Sequence, residues 1–83
     1  MNPAAAGREV SVRYLHKDGR SVATLRIVDY GVSCAVEAEV SPASGGFPSR
    51  PGPYTFPDER RAIAFVTEAV EAFVYLGCEI SGQ

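Results

Sequence analysis

Apolar residues recur at helical spacing over residues 55–77, the longest periodic stretch of the chain. At about 100° per residue, Ala62, Ile63, Phe65, Val66, Ala69, Val70, Ala72, Phe73, Val74 and Leu76 fall in an arc of roughly 200° centred near Val66 and Phe73. Arg60, Arg61, Ala64, Thr67, Glu68, Glu71 and Tyr75 share the remainder. This predicts a helix over about 56–76 that covers a sheet with one side and keeps a polar back. Thr55 and Asp58 have capping-box spacing, with Asp where Glu or Gln is usual, and Pro57 suits a first turn because its missing N–H would have no helical partner. Gly77 can take the left-handed conformation that ends a helix, and a Schellman arrangement would then fold Cys78 back onto Phe73.

The first half of the chain has the period of strands. Residues 9–16 alternate, with Val10, Val12 and Tyr14 on one side and Ser11, Arg13 and Leu15 on the other. Asp18-Gly19 follows, the residue pair that a type I′ hairpin turn favours because both central positions need φ > 0. With Lys17 opposite Arg20, a regular ladder sets Tyr14 against Ala23, Val12 against Leu25 and Val10 against Ile27. The second strand, 21–28, leads through an even-numbered loop into a third, 32–41, which pairs Ile27 with Cys34, Leu25 with Val36 and Ala23 with Ala38. Both turns select the same inward residues on the middle strand. The expected fold class is therefore α+β: a three-stranded antiparallel β-meander, ordered 1-2-3, with one C-terminal amphipathic helix on one face (β-β-β-α). Leu25, Val36, Val66 and Phe73 are expected at the core centre.

Residues 42–53 hold four prolines and three glycines and can form neither ladder nor helix, so they read as a connector. The third strand ends beside the Asp18-Gly19 turn. The helix is then expected to start at that end and run back, which would bring Cys78 to the same end as Cys34, close enough for a disulfide. Residues 54–56 read as a brief extension, and 78–80 as a short edge beside the first strand.

A chain of 83 residues has room for one domain, about 9–80 after a tail at 1–8, and buries only about 60–65% of its unfolded surface. Hydrophobic residues make up 46% and charged ones 22%, which is globular composition. The net charge of −2 supplies no overall field for a polyanion. Two cysteines, and an N-terminal stretch with neither the basic residues nor the apolar run of an export signal, point to a reducing, cytoplasmic location without membrane contact.

Candidate chemistry is sparse. His16, beside Ser21, lies more than about 20 Å from Cys34 along the strands, so no Cys–His dyad is expected, and no acid is expected on its face to orient the ring. Cys34 and Cys78 alone make no zinc site. Gly45, Gly46 and Gly52 lack the strand before and the Lys-Ser or Lys-Thr after that a phosphate cradle needs. Glu68 and Glu71 are expected on the far side of the sheet from Glu37 and Glu39. No cofactor, metal or catalytic set is therefore expected. Pro48-Ser49-Arg50-Pro51 has the spacing of a polyproline-II ligand, flanked by Phe47 and Tyr54, although a stiff connector with Phe47 packed back on the domain accounts for it as well.

The expected function is a non-enzymatic protein-interaction module, an inhibitor or accessory factor, with Arg13, Arg26, Phe47, Arg50 and Tyr54 as its partner-binding candidates. The alternative is nucleic-acid binding through Arg8, Arg13, Lys17, Arg20 and Arg26 on one side of the sheet. The element order resembles the later part of a double-stranded-RNA-binding domain, but residues 1–7 cannot supply that family's first helix and no lysine-patterned helix start is present. It also resembles small sheet-type DNA readers, whose exposed strands enter the major groove. Here Glu9, Glu37 and Glu39 share that face and would repel phosphates. The third strand, free of proline and lysine, lacks the usual edge protection, so either the proline-rich loop or a second copy is expected to cover it, giving a homodimer through a sheet edge or the outer face.

Overall fold

The computed structural model describes residues 7–42 and 45–82. The tail expected at 1–8 lies almost wholly outside the described residues. The chain forms β1 (Arg8–Lys17), β2 (Arg20–Asp29), β3 (Cys34–Val40), β4 (Tyr54–Phe56), α1 (Glu59–Tyr75) and β5 (Glu79–Gly82). All five strands belong to one antiparallel sheet ordered β4-β3-β2-β1-β5. The α+β class and the central meander agree with the sequence pattern. The sheet has five strands rather than three, because residues 54–56 join β3 at one edge and residues 79–82 join β1 at the other.

The first hairpin turns as its residues dictate. Asp18 (φ 54°) and Gly19 (φ 77°) both take the left-handed conformation, and Lys17 and His16 pair with Arg20 and Ser21. Beyond that point Val22 stands as an extra residue on β2, a β-bulge, and every later pairing is displaced: Leu15 meets Ala23, Tyr14 meets Thr24 and Arg13 meets Leu25. The expected inward set Val12 and Tyr14 is thus replaced by Leu15 and Arg13. Leu15 is 0% exposed and Tyr14 44%. The exchange buries a side chain with no polar atom, leaves the tyrosine hydroxyl at the surface, and lets Val22 pack against the core as well. A second bulge, at Val10, returns that valine to the core side.

Between β2 and β3 the expected parity holds while the register slides by two: Asp29 meets Cys34, Ile27 meets Val36, Leu25 meets Ala38 and Ala23 meets Val40. The four-residue loop is fixed by Asp29 Oδ1, which accepts the Gly31 N–H at 2.8 Å, and by the Tyr30 N–H, which donates to the Ser33 carbonyl at 2.9 Å.

The helix is capped by Asp58, whose Oδ1 accepts the Arg61 N–H at 2.9 Å, while Thr55 lies in β4 opposite Ala35. Asp58→Ala should therefore cost about 1 kcal/mol, measured by the urea midpoint, whereas Thr55→Ala leaves the cap intact. At the other end Gly77 is at φ 97°, the Cys78 N–H donates to the Phe73 carbonyl at 3.0 Å and the Gly77 N–H to the Val74 carbonyl at 2.9 Å, which is the Schellman pattern.

The helix runs in the direction opposite to that expected. Instead of starting beside the Asp18-Gly19 turn, it follows β4, which pairs Tyr54–Phe56 with Val36, Ala35 and Cys34 at the far end of the sheet. The proline-rich connector makes this reversal by running back along β3, which it touches through the Val40–Ser49 bridge. The helix ends at the hairpin, where Lys17 Nζ donates to the Leu76 carbonyl at 3.0 Å. Cys78, next to the Glu79–His16 pair, is thus at the opposite end from Cys34, and the expected proximity of the two thiols is overturned. Both are free and buried.

Because β4 before it is one sheet edge and β5 after it the other, α1 crosses the sheet obliquely. Ala62 and Val66 press on Leu15, Ala23, Leu25, Ile27, Cys34 and Val36, with Phe73 partly buried at the margin. Phe65 lies against Tyr54 and Phe56, each at 5.2 Å between ring centroids. The oblique path covers β4 and β3 at its start and β5 at its end, and leaves the first half of β1 beside the helix rather than beneath it.

Candidate interaction surfaces

The residues expected to bind a partner are distributed over four places. Arg26 and Arg50 line a cleft of about 560 Å³ on the outer face, with Tyr14, Thr24, Glu37 and Glu39 as its floor and Pro51 and Pro53 at its side. Both cations there have acidic neighbours: Arg26 Nε donates to Glu9 Oε1 at 2.8 Å, and Arg50 lies 3.7 Å from Glu39. Tyr54 turns to the helix side, against Phe65. Phe47 is 95% exposed and does not pack back on the domain.

Arg13 lies on the helix side, not the outer face, as a direct result of the Val22 bulge. It opens into a groove of about 440 Å³ between β1 and α1, formed by Val10, Ser11, Arg13 and Ile27 from the sheet and Ile63, Val66, Thr67, Val70 and Glu71 from the helix. Its Nη1 is buried and has no hydrogen-bond partner among the described residues. The five cations proposed for nucleic acid are therefore not one patch. Arg13 is on the opposite face from Arg26, Arg8 is held by Asp29 at 3.0 Å with Glu59 at 3.7 Å, and Lys17 caps the helix.

His16 is met by residues that the sequence pattern did not bring to it. Its Nε2 lies 3.3 Å from Ser81 Oγ, and its Nδ1 lies 3.8 Å from Glu79 Oε1, because β5 places both on the outer face beside it. An acid does share the face of His16, contrary to expectation. The Glu79 side chain is 81% exposed and beyond hydrogen-bond reach of the ring, so water screens what orientation it could impose. The short edge expected at 78–80 beside the first strand is the available signal, but with the helix expected to run the other way it would fall at the far end of that strand from His16.

At the β2–β3 end, the Gly31 N–H and then the Arg8 guanidinium hold the Asp29 carboxyl below its ordinary value of 3.8. Burial pushes the Cys34 thiol up, helped by the Asp29 and Glu59 carboxylates, so at neutral pH it is a protonated core side chain rather than a nucleophile. A carboxyl whose folded pKa is depressed adds stability that is fully present above the unfolded value, about pH 4, and is lost as pH falls through the folded one. Acidification from pH 4 to pH 2 should therefore lower the urea midpoint of the wild type more steeply than that of Asp29→Asn. Parallel curves would remove Asp29 as a source of acid sensitivity.

No helix among the described residues is long and apolar enough to cross a membrane, and no group of three His, Cys, Asp or Glu residues among them could hold a metal ion. The fold is thus a small α+β domain with a groove beside its first strand and a charge-balanced cleft on its outer face. The chain matches no protein-family model, and comparison with curated proteins and with solved structures finds no match either, so its function is argued from geometry.

Proposed function

We propose that this chain is a protein-interaction module that engages a partner alongside β1. The observation that supports this reading is the half-sheathed state of that strand. β5 pairs with β1 only from Arg13 to His16, and among the described residues nothing pairs with the outer edge of β1 from 8 to 12. That open edge adjoins the groove, whose helix wall includes Ile63, 44% exposed. An unpaired edge beside an apolar wall is a template for an added strand. By contrast β3, expected to carry the exposed edge, is paired by β4 at Cys34–Val36 and by Ser49 at Val40. The outer face offers nucleic acid no unbalanced positive charge in its cleft, since Arg26 and Arg50 both sit against carboxylates.

A photoreactive residue in place of Thr67, at the groove, tests the reading in the source cells, with Glu68 on the helix back as the control site. The expected result is a discrete covalent adduct with another protein from position 67 and none from 68. Adducts with nucleic acid, or none from position 67, would overturn it.

A further inference from the structure

Arg13 shares the helix-facing side of the sheet with Ser11, Leu15, Leu25 and Ile27. Unlike Arg8, held there by Asp29, and Lys17, bonded to the Leu76 carbonyl, it has no ion-pair partner among the described residues. A regular hairpin would have placed it in water; the Val22 bulge turns it into the groove instead. Its Nη1 has no partner there. Removing part of a guanidinium from water without a hydrogen bond costs free energy, which an anion entering the groove would offset. Glu71 lines the same groove, yet no ion pair joins it to Arg13 among the described residues. Apart from Ser11, Thr67 and Glu71, the other residues that line the groove are apolar: Val10, Ile27, Ile63, Val66 and Val70.

We infer that the groove receives an extended segment of a partner protein that carries an Asp or Glu two residues from a branched apolar residue. Its backbone pairs with the open edge of β1 at 8–12, its carboxylate meets Arg13, and its apolar side chain lies against Ile63 and Val70. The two-residue spacing follows from the geometry of an added strand, in which alternate side chains point to the same face, about 7 Å apart. The inference rests on the protein-interaction reading above and supplies the chemistry of the partner. A second copy of the chain does not meet this need. The one carboxylate on β1, Glu9, is already held by Arg26 at 2.8 Å, and two copies of β1 side by side would bring together Arg8 and Arg13 of each.

The test is a titration of the ¹⁵N-labelled full chain with an acetylated, amidated probe peptide, Thr-Val-Thr-Glu-Thr-Thr, and with the same peptide carrying Gln or Lys in place of Glu. The expected result is movement of the Ser11, Ile63, Thr67 and Val70 amides, with the Glu peptide bound about tenfold more tightly than the Gln peptide and the Lys peptide weakest. Arg13→Gln should erase the Glu preference while the thermal midpoint holds or rises, because a guanidinium nitrogen buried without a hydrogen-bond partner is removed. Ile63→Asp, at an exposed helix position, should abolish binding of the Glu peptide with the fold intact. Equal affinity for the three peptides, absence of shifts at millimolar peptide, or an intact Glu preference in Arg13→Gln would overturn the inference. If the peptides fail while position 67 still cross-links another protein, the interaction reading stands and the acidic-segment chemistry falls; cross-linking to a second copy removes the acidic segment as the occupant.

Discussion

Leu15→Ala is expected to cost about 2–5 kcal/mol of folding stability, and Tyr14→Ala less than half as much, when both are measured by urea unfolding. Leu15 is 0% exposed and packs in the cluster with Ala23, Leu25, Cys78 and the helix residues Ala62 and Val66, so truncation leaves a cavity that neighbouring strands on both sides hold open. Tyr14 faces the outer cleft, with its ring partly in water, and its loss removes contacts without opening the core. For a small domain whose total stability is on the order of 5–10 kcal/mol, the first substitution removes a large share of it. The comparison reads the hairpin register directly. In a ladder without the Val22 bulge, Tyr14 would be opposite Ala23 on the core side and the order of the two costs would reverse. A larger cost at Tyr14 would therefore sink the bulged register, and with it the placement of Arg13 in the groove.

The parts of this fold that local chemistry decides were legible in the chain. Asp18-Gly19 specifies its turn because few other pairs tolerate two positive φ values, and Gly77 specifies the helix end for the same reason. The middle strand was legible too, since Ala23, Leu25 and Ile27 leave no alternative inward face. What escaped was everything that trades one apolar residue for another. The bulges at Val22 and Val10 carry no glycine or asparagine to mark them, and the choice between burying Leu15 or Tyr14 is settled only when the helix and β5 are in place. A single extra residue then inverts the face of β1. That one inversion moved Arg13 from an outer cationic patch to the inner groove, the largest revision of the candidate site. The connector was a second gap, because prolines and glycines exclude ladder and helix without saying which way the chain departs. Its return along β3 reversed the helix and separated Cys34 from Cys78. The extension at 54–56 and the short edge at 78–80 beside the first strand were legible, but where that edge lies along β1 depends on where the helix ends, and the reversed helix set it beside His16 rather than at the far end.

Ala62→Leu is expected to destabilise the domain by about 1–3 kcal/mol, while Ala64→Leu, two residues along the same helix, should change stability by no more than about 0.5 kcal/mol. The intrinsic helix preference of Ala and Leu differs little, so the contrast isolates packing from propensity. Ala62 is 0% exposed on the first full turn of α1, in the cluster that contains Cys34 and Val36. Three added carbons there have no space to enter. Relief would require the helix to lift from the sheet or to slide, and both movements disturb Phe65, whose ring is held at 5.2 Å from Tyr54 and from Phe56. The small side chain is thus what lets the start of the helix approach the sheet, and the oblique crossing that leaves the groove open at β1 begins from that approach. Ala64 points to water, and a leucine there meets nothing it must displace. Thermal and urea midpoints of the two variants against wild type decide the matter. Equal costs at 62 and 64 would mean that the helix is rotated about its axis from the orientation described, and that Ile63, Thr67 and Val70 do not form the wall opposite Arg13.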